Sequence, residues 1–306
     1  MGEPATVSRT TKFKDVVEGI LRKDGLEITQ LDNSRDIVSF INQRIRQAWS
    51  HDWWPESMQV EQKHYHHQTS TGRPYDIGDI LWEPTGKKYY EAIVSTSSQD
   101  LTDASKFQAV SSTTDWIRYI PYWQLGAGAD APGSKVIYRI RGIYMRNPLK
   151  NARPGSLSYE PSRDGVIVSN LAGDQVWAEY QEEPPEFTLT DYASASTYTT
   201  SVAYGNTSKK ADLVYDPSTG ECYKALNTNT SSHALSDATR WERIYFPSFL
   251  DRYVRHGVYS DMLAQDGQTS KAMAEDDRAD GILGDLADVY VPQKFSTESV
   301  EYSRTR

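Results

Sequence analysis

Apolar residues recur at helical spacing near both ends of this chain and lose that period in between. Phe13, Val16, Val17, Ile20 and Leu21 fall at i, i+3, i+4, i+7 and i+8, the stripe that buries one face of an amphipathic helix. Lys-Asp-Gly closes it at Gly25. Ile37, Phe40, Ile41, Ile45, Ala48 and Trp49 repeat the period, with Asn33 or Ser34 as N-cap and Trp53, Trp54 and Pro55 at its end. Near the other terminus, Phe249, Leu250, Tyr253, Val254, Val258 and Met262 form a third stripe. Gln-Asp-Gly-Gln breaks it at Gly267, and Met273, Ile282, Leu283, Leu286, Val289 and Tyr290 form a fourth. Two helices alone make a poor core, so the N-terminal pair is expected to pack on the C-terminal pair. From about residue 58 to 245, strand-like alternation, Ser/Thr clusters and Gly/Pro turns replace the helical period. The expected fold class is α+β and multi-module: a helical bundle from the N- and C-terminal helices, with small antiparallel β modules inserted.

Composition narrows the function classes. With 306 residues and 38% hydrophobic content, several modules are expected rather than one compact domain. A net charge of −9 and a pI near 5.2 disfavour a general nucleic-acid or anionic-membrane binder, which needs clustered Lys and Arg. The short basic run Arg139 to Arg146 reads as a strand with outward arginines. The first residues carry no apolar h-region and no stretch nears the ~18 apolar residues of a membrane span, so neither secretion nor membrane insertion is expected. The single cysteine, Cys222, excludes an intrachain disulfide and reads as a small buried hydrophobe in a strand.

The middle region holds an internal repeat. "DILWEPTGKKYYEA" from Asp79 and "DLVYDPSTGECYKA" from Asp212 keep register 133 residues apart. Asp79/Asp212, Leu81/Val214, Trp82/Tyr215, Glu83/Asp216, Pro84/Pro217, Tyr90/Tyr223 and Ala92/Ala225 align; the turn glycine slides by one place, Gly86 against Gly220. Each copy reads as an aromatic hairpin closed by a distal tryptophan, Trp116 in the first and Trp241 in the second. Between the copies, β-rich runs ending at Pro184 and Pro185 read as a third element of three to five strands.

The repeat resembles the small chitin-binding-type carbohydrate-binding modules, whose motif runs Tyr-x-x-Gly-Asp-x-Val-x-Tyr-x-Gly-Lys-x-Tyr-x-Ala before a distal Trp. Tyr75, Gly78, Asp79, Trp82, Gly86, Lys87, Tyr90 and Ala92 match in the first copy; Asp212, Tyr215, Gly220, Tyr223, Ala225 and Trp241 match in the second. That resemblance implies sugar contacts at Trp82, Tyr90, Tyr215 and Tyr223. Sugar-gripping members usually carry an exposed tryptophan just after the Ala, and here those places read "IVSTSS" and "LNTNTS".

The terminal helices, split by β insertions that include "VWAEYQEEPPEF", resemble the head-to-tail adaptor (connector, neck) proteins of tailed bacteriophages. A Trp-Pro-Glu after an Asn-containing helix and an Asp-Gly-Gln break between two C-terminal helices carry the likeness. It implies a structural virion protein made in the host cytoplasm, standing as a ring, dodecameric in that family, beneath the portal. Its partners would be further copies of itself, the portal, a tail or nozzle protein, DNA passing without sequence specificity and, through the modules, a glycan; no membrane is implied. The expected divisions are residues 1–62 plus 245–292 for the helical part, 70–125 and 188–246 for the repeats, and 133–187 for the middle element. Residues 291–306 would form an extended tail docking on the portal through Val291, Phe295, Tyr302, Arg304 and Arg306.

No catalytic constellation stands out. His64 and His66 alternate onto one strand face beside His67, without a third ligand at a diagnostic distance. Glu182 with Glu183, and Asp276 with Asp277, are adjacent and so point apart, unlike the converging carboxylates of a glycosidase. Phosphate-binding glycine loops, a nucleophile elbow and His-Glu-x-x-His are missing, so neither enzyme activity nor a cofactor or metal is expected. The competing reading is a carbohydrate-binding accessory protein for chitin or a host-surface glycan.

Overall fold

The computed structural model describes residues 11–23, 25, 31–68, 75–83, 86–98, 100–110, 119–122, 137–163, 165–169, 175–189, 203–204, 206–207, 210–226, 229–230 and 234–290. Among the described residues, four α-helices occupy the ends: α1 (Phe13–Lys23), α2 (Leu31–His51), α3 (Asp251–Gln265) and α4 (Thr269–Tyr290). α2 begins at Leu31, ahead of both Asn33 and Ser34. Gly267, at φ +77°, makes the break between α3 and α4, where a glycine carries no Cβ penalty. Among the described residues, no helix is long and apolar enough to cross a membrane.

The chain ends do share one core. Phe13, Val17 and Ile20 of α1, Ile41 and Ile45 of α2, Val254 and Val258 of α3, and Ala279 and Leu283 of α4 are buried together. That core is not the helical bundle that the expected fold class required. Strands hold 31% of the described residues against 35% for helices, with twelve strands of three or more residues in four small sheets. Phe187, Tyr215, Cys222 and Phe246, all outside the helices, lie in the same cluster. Phe13 stacks on Phe187 with centroids 4.6 Å apart and meets Tyr215 edge-on at 6.5 Å. Helical periodicity marks which faces need burial, but not whether a helix or a sheet covers them.

A second body lies between the helices in sequence. Met58–His64 and Ile137–Tyr144 flank Gln175–Glu182 in an antiparallel sheet. Tyr119–Pro121, Gly165–Val168 and Tyr159–Pro161 form another. Val176, Ala178 and Tyr180 alternate onto one face and join Ile120, Ile137, Ile143 and Val166 in a core of their own. Met58–His64 and Tyr119–Pro121 therefore complete the middle element from outside the expected span 133–187.

Polar contacts fix this body to α2. Trp49 Nε1 donates to the Glu182 carbonyl at 2.8 Å, and the Asn42 side chain exchanges two 2.9 Å bonds with the Phe187 backbone. Arg139 faces the end of α2 rather than solvent. Its guanidinium donates to the carbonyls of Trp49 and Ser50 at 3.3 Å and to that of Asp52, while Nε donates to Gln181 at 2.6 Å. It also lies 4.0 Å over the Trp53 ring. The orphan carbonyls of a helix C-terminus and its negative dipole end are both satisfied by this cation.

Candidate functional site

Each repeat is a hairpin with a third strand, and the 133-residue register holds through the backbone. Ile80–Glu83 pairs with Lys88–Ala92, and Leu213–Asp216 with Glu221–Ala225. The turn keeps register as well: Lys87 at φ +54° and Gly220 at φ +75° occupy the same left-handed position. The glycine therefore slides in sequence without any change of turn length. Lys87 is exposed. A Cβ on Gly220 would lie 2.7 Å from the Lys14 Cβ of α1, and Lys14 N–H donates to the Gly220 carbonyl at 3.0 Å.

The third strands revise the expected closing residue. Ala92 pairs with Phe107 and Ala225 with Trp241, so Phe107, not Trp116, is the counterpart of Trp241; Trp116 lies outside the described residues. The loops before these strands also match, 134 residues apart. Asp103 accepts from the Ser105 N–H at 3.0 Å and from its hydroxyl at 2.6 Å, and Asp237 does the same for Thr239 at 3.0 and 2.6 Å. The hydrogen bonds from Ser105 and the nearby Lys106 hold the Asp103 carboxyl down to about 2. "LTDASKF" from Leu101 and "LSDATRW" from Leu235 spell this second half of the repeat.

Directly paired residues share a face of an antiparallel hairpin, which separates the four candidate sugar contacts. Leu81 and Ala92, with Tyr75, Leu101 and Phe107, close the first module, and Tyr90 is partly buried against them. Val214, Ala225 and Trp241 close the second, and Tyr223 is partly buried there. Trp82 and Tyr215 belong to the opposite face. Trp82, paired with Tyr89, is buried in the core of the middle body, and Tyr215, paired with Cys222, in the core of the helices. Neither offers a ring face to solvent, whereas Tyr90 and Tyr223 keep partial access.

Aliphatic side chains take the place where a stacking tryptophan would stand. Ile93 and Val94 follow Ala92 and are exposed, as is Ile77. The Gly78 N–H donates to the Ala92 carbonyl at 2.8 Å, and Tyr75 and Thr96 bridge in both directions, bringing the two segments together. On the second module, Arg243 pairs with Glu221 and lies 4.9 Å from the centroid of the exposed Tyr245 ring.

The remaining buried polar groups hold elements together. Arg44 of α2 forks onto Asp261 of α3 at 2.8 and 2.6 Å and reaches Asp276 of α4 at 2.8 Å. Burial alone would lower its pKa, but the hydrogen bonds and charges of the two aspartates more than offset that and keep it cationic. Gly257 faces the guanidinium so closely that a Cβ would lie 2.9 Å from it. The Cys222 thiol donates to the Thr188 carbonyl at 3.2 Å, and burial pushes its pKa up to about 12. Such a thiol is inert at neutral pH. Among the described residues, no three His, Cys, Asp or Glu side chains are grouped to hold a metal ion. Val291, Phe295, Tyr302, Arg304 and Arg306 lie outside the described residues. Compared with protein-family models, with curated proteins and with solved structures, the chain finds no match.

Proposed function

We propose that the chain is a structural virion protein, the head-to-tail adaptor of a tailed bacteriophage, forming a ring beneath the portal and joining the DNA-filled head to the tail. The observation that carries this reading is the use made of the repeated aromatics. Trp82 and Tyr215 join the modules to two larger cores instead of facing outward, as rigid building blocks require and as sugar platforms do not. The core made from both chain ends, with residues beyond each, supports the same reading: a ring subunit needs a rigid wedge and two different lateral surfaces. The portal above, a tail or nozzle protein below and DNA passing through without sequence readout would be its partners. Particles with their tails removed test the proposal: the protein stays with the heads, and its absence from them sinks the idea.

A carbohydrate-binding role is the second reading, favoured by the part-exposed Tyr90 and Tyr223 at equivalent positions of the two copies. Retention on chitin or host polysaccharide, lost in Tyr90→Ala and Tyr223→Ala, would support it. Retention by neither polymer would leave the modules as architecture.

A further inference from the structure

Two surfaces of this chain match each other in charge and in exposed apolar side chains. The first is the outer face of α4. Met273, Asp277, Asp280, Gly281, Gly284, Asp285 and Asp288 are all exposed and, at 100° per residue, fall within about 140° of arc. Opposite them Ala272, Ala279 and Leu283 are buried against the rest of the molecule. The other acids of α4 have partners, Asp276 in Arg44 and Glu275 in His256 and Arg278. The four outer aspartates have no ion pair among the described residues.

Apolar and small residues complete this face. Met273 is 64% exposed, and Val289 at its border 77%. Gly281 and Gly284 have nothing within 4 Å of a would-be Cβ. Glycine is a poor helix-interior residue, and among the described residues no packing calls for it at either place.

The second surface is the loop-rich stretch after Ile137–Tyr144. Arg146, Lys150, Arg153 and Arg163 are exposed there without an ion-pair partner among the described residues, and Glu160 is the only acid from 137 to 163. Met145 is 52% exposed and Leu149 78%. So a chain of net charge −9 carries a basic, apolar-tipped stretch as well as an acidic, apolar-flanked helix face.

We propose that copies of this chain join head to tail, the outer face of α4 in one copy docking on residues 145–163 of the next. Opposite charges set the register. Leu149 and Met145 supply apolar contact, and the two glycines let the neighbouring backbone approach α4 closely. Two different patches on one chain make a heterologous contact, which closes into a ring when the rotation allows. The proposal rests on the ring reading above and assigns its lateral surfaces.

Sedimentation velocity of the full chain tests this through charge reversal. Asp277→Lys with Asp280→Lys and Asp285→Lys forms one variant, and Arg146→Glu with Lys150→Glu and Arg153→Glu the other. The native chain associates, more weakly at high salt. Each variant alone loses at least about tenfold in association, and an equimolar mixture of the two recovers it, because each variant then meets its complement. Gly281→Leu separates contact from folding: it raises helix stability and the melting temperature while lowering association. A native chain that stays monomeric, assemblies indifferent to both reversals, or a mixture that fails to recover would each overturn the proposal. Rings that ignore the reversals, together with the protein present on tail-stripped heads, would remove this contact and leave the adaptor reading intact.

Discussion

Trp82 and Tyr215 occupy one position of a duplicated hairpin and are buried in two different cores. Each hairpin uses its Leu/Val–Ala face to close itself and its aromatic face to attach elsewhere. Truncating either ring should cost about 3–5 kcal/mol, the range for large-to-small core changes, but in different places. In Trp82→Ala, amide exchange should accelerate in Gln175–Glu182 and Ile137–Tyr144 while α3 stays protected. Tyr215→Ala should expose α1 and α3 first. Equal loss of protection everywhere in both variants would show that the two cores unfold as one.

The left-handed turn position makes a second asymmetric prediction. Lys87 adopts φ +54° in the open, so Lys87→Gly should be neutral or stabilise by up to about 1 kcal/mol. Gly220 has the same conformation with Lys14 pressed against it, so Gly220→Lys should destabilise well beyond the ordinary left-handed penalty. Thermal melts of the two single variants and of the exchange double variant check both signs.

Cys222 should resist alkylation at pH 8 in the folded protein and react after denaturation, as mass spectrometry of labelled peptides would reveal. Its raised pKa also fixes a direction. Below the unfolded thiol value of about 8.5, both states are protonated and the contribution is fully present. As the pH rises from there toward about 12, only the unfolded state ionises and stability falls. Cys222→Ala should remove that part of the alkaline slope.

Arg44 ties α2, α3 and α4 through a forked pair with Asp261 and a bond to Asp276. Arg44→Met leaves Asp261 part-buried without its partner and should cost about 3 kcal/mol. Arg44→Lys should recover little, since a lysine cannot make the fork. The double variant Arg44→Met/Asp261→Leu should be more stable than Arg44→Met alone. Urea titrations of the native chain, Arg44→Met, Asp261→Leu and the double variant give the coupling, and strict additivity would reject the assignment.

Much of this architecture is legible in the sequence, to the degree that each signal is local. The apolar stripes of α1, α3 and α4 place those helices because burial on one side imposes the period. The strands of the two repeats follow from an in-register copy, since both hairpins solve the same packing problem. The helical-bundle expectation fails because periodicity names the face to be covered and not the cover; Phe187, Tyr215, Cys222 and Phe246 come to that face through tertiary contacts alone. Among the candidate sugar residues, alternation separates Trp82 from Leu81, yet only the assembled chain shows that the Trp82 face also has a core to enter. Phe107 is not legible as the closing ring from residue type alone, since the second copy has a tryptophan there; the shared Asp-Ala-Ser/Thr-Lys/Arg run before it marks the position.

The shared core of the chain ends sets a schedule for synthesis. Phe13 and Leu283 belong to one cluster, so the apolar stripes of α1 and α2 emerge from the ribosome long before α3 exists to cover them. At about 5–20 residues per second, that interval is on the order of 10–50 s. The middle body, from Met58 to Glu182, has its own core and can close first. A nascent chain halted before Asp251 would thus carry a folded centre and sticky helices at its start, and chaperone occupancy should concentrate on that N-terminal segment until the last sixty residues are made.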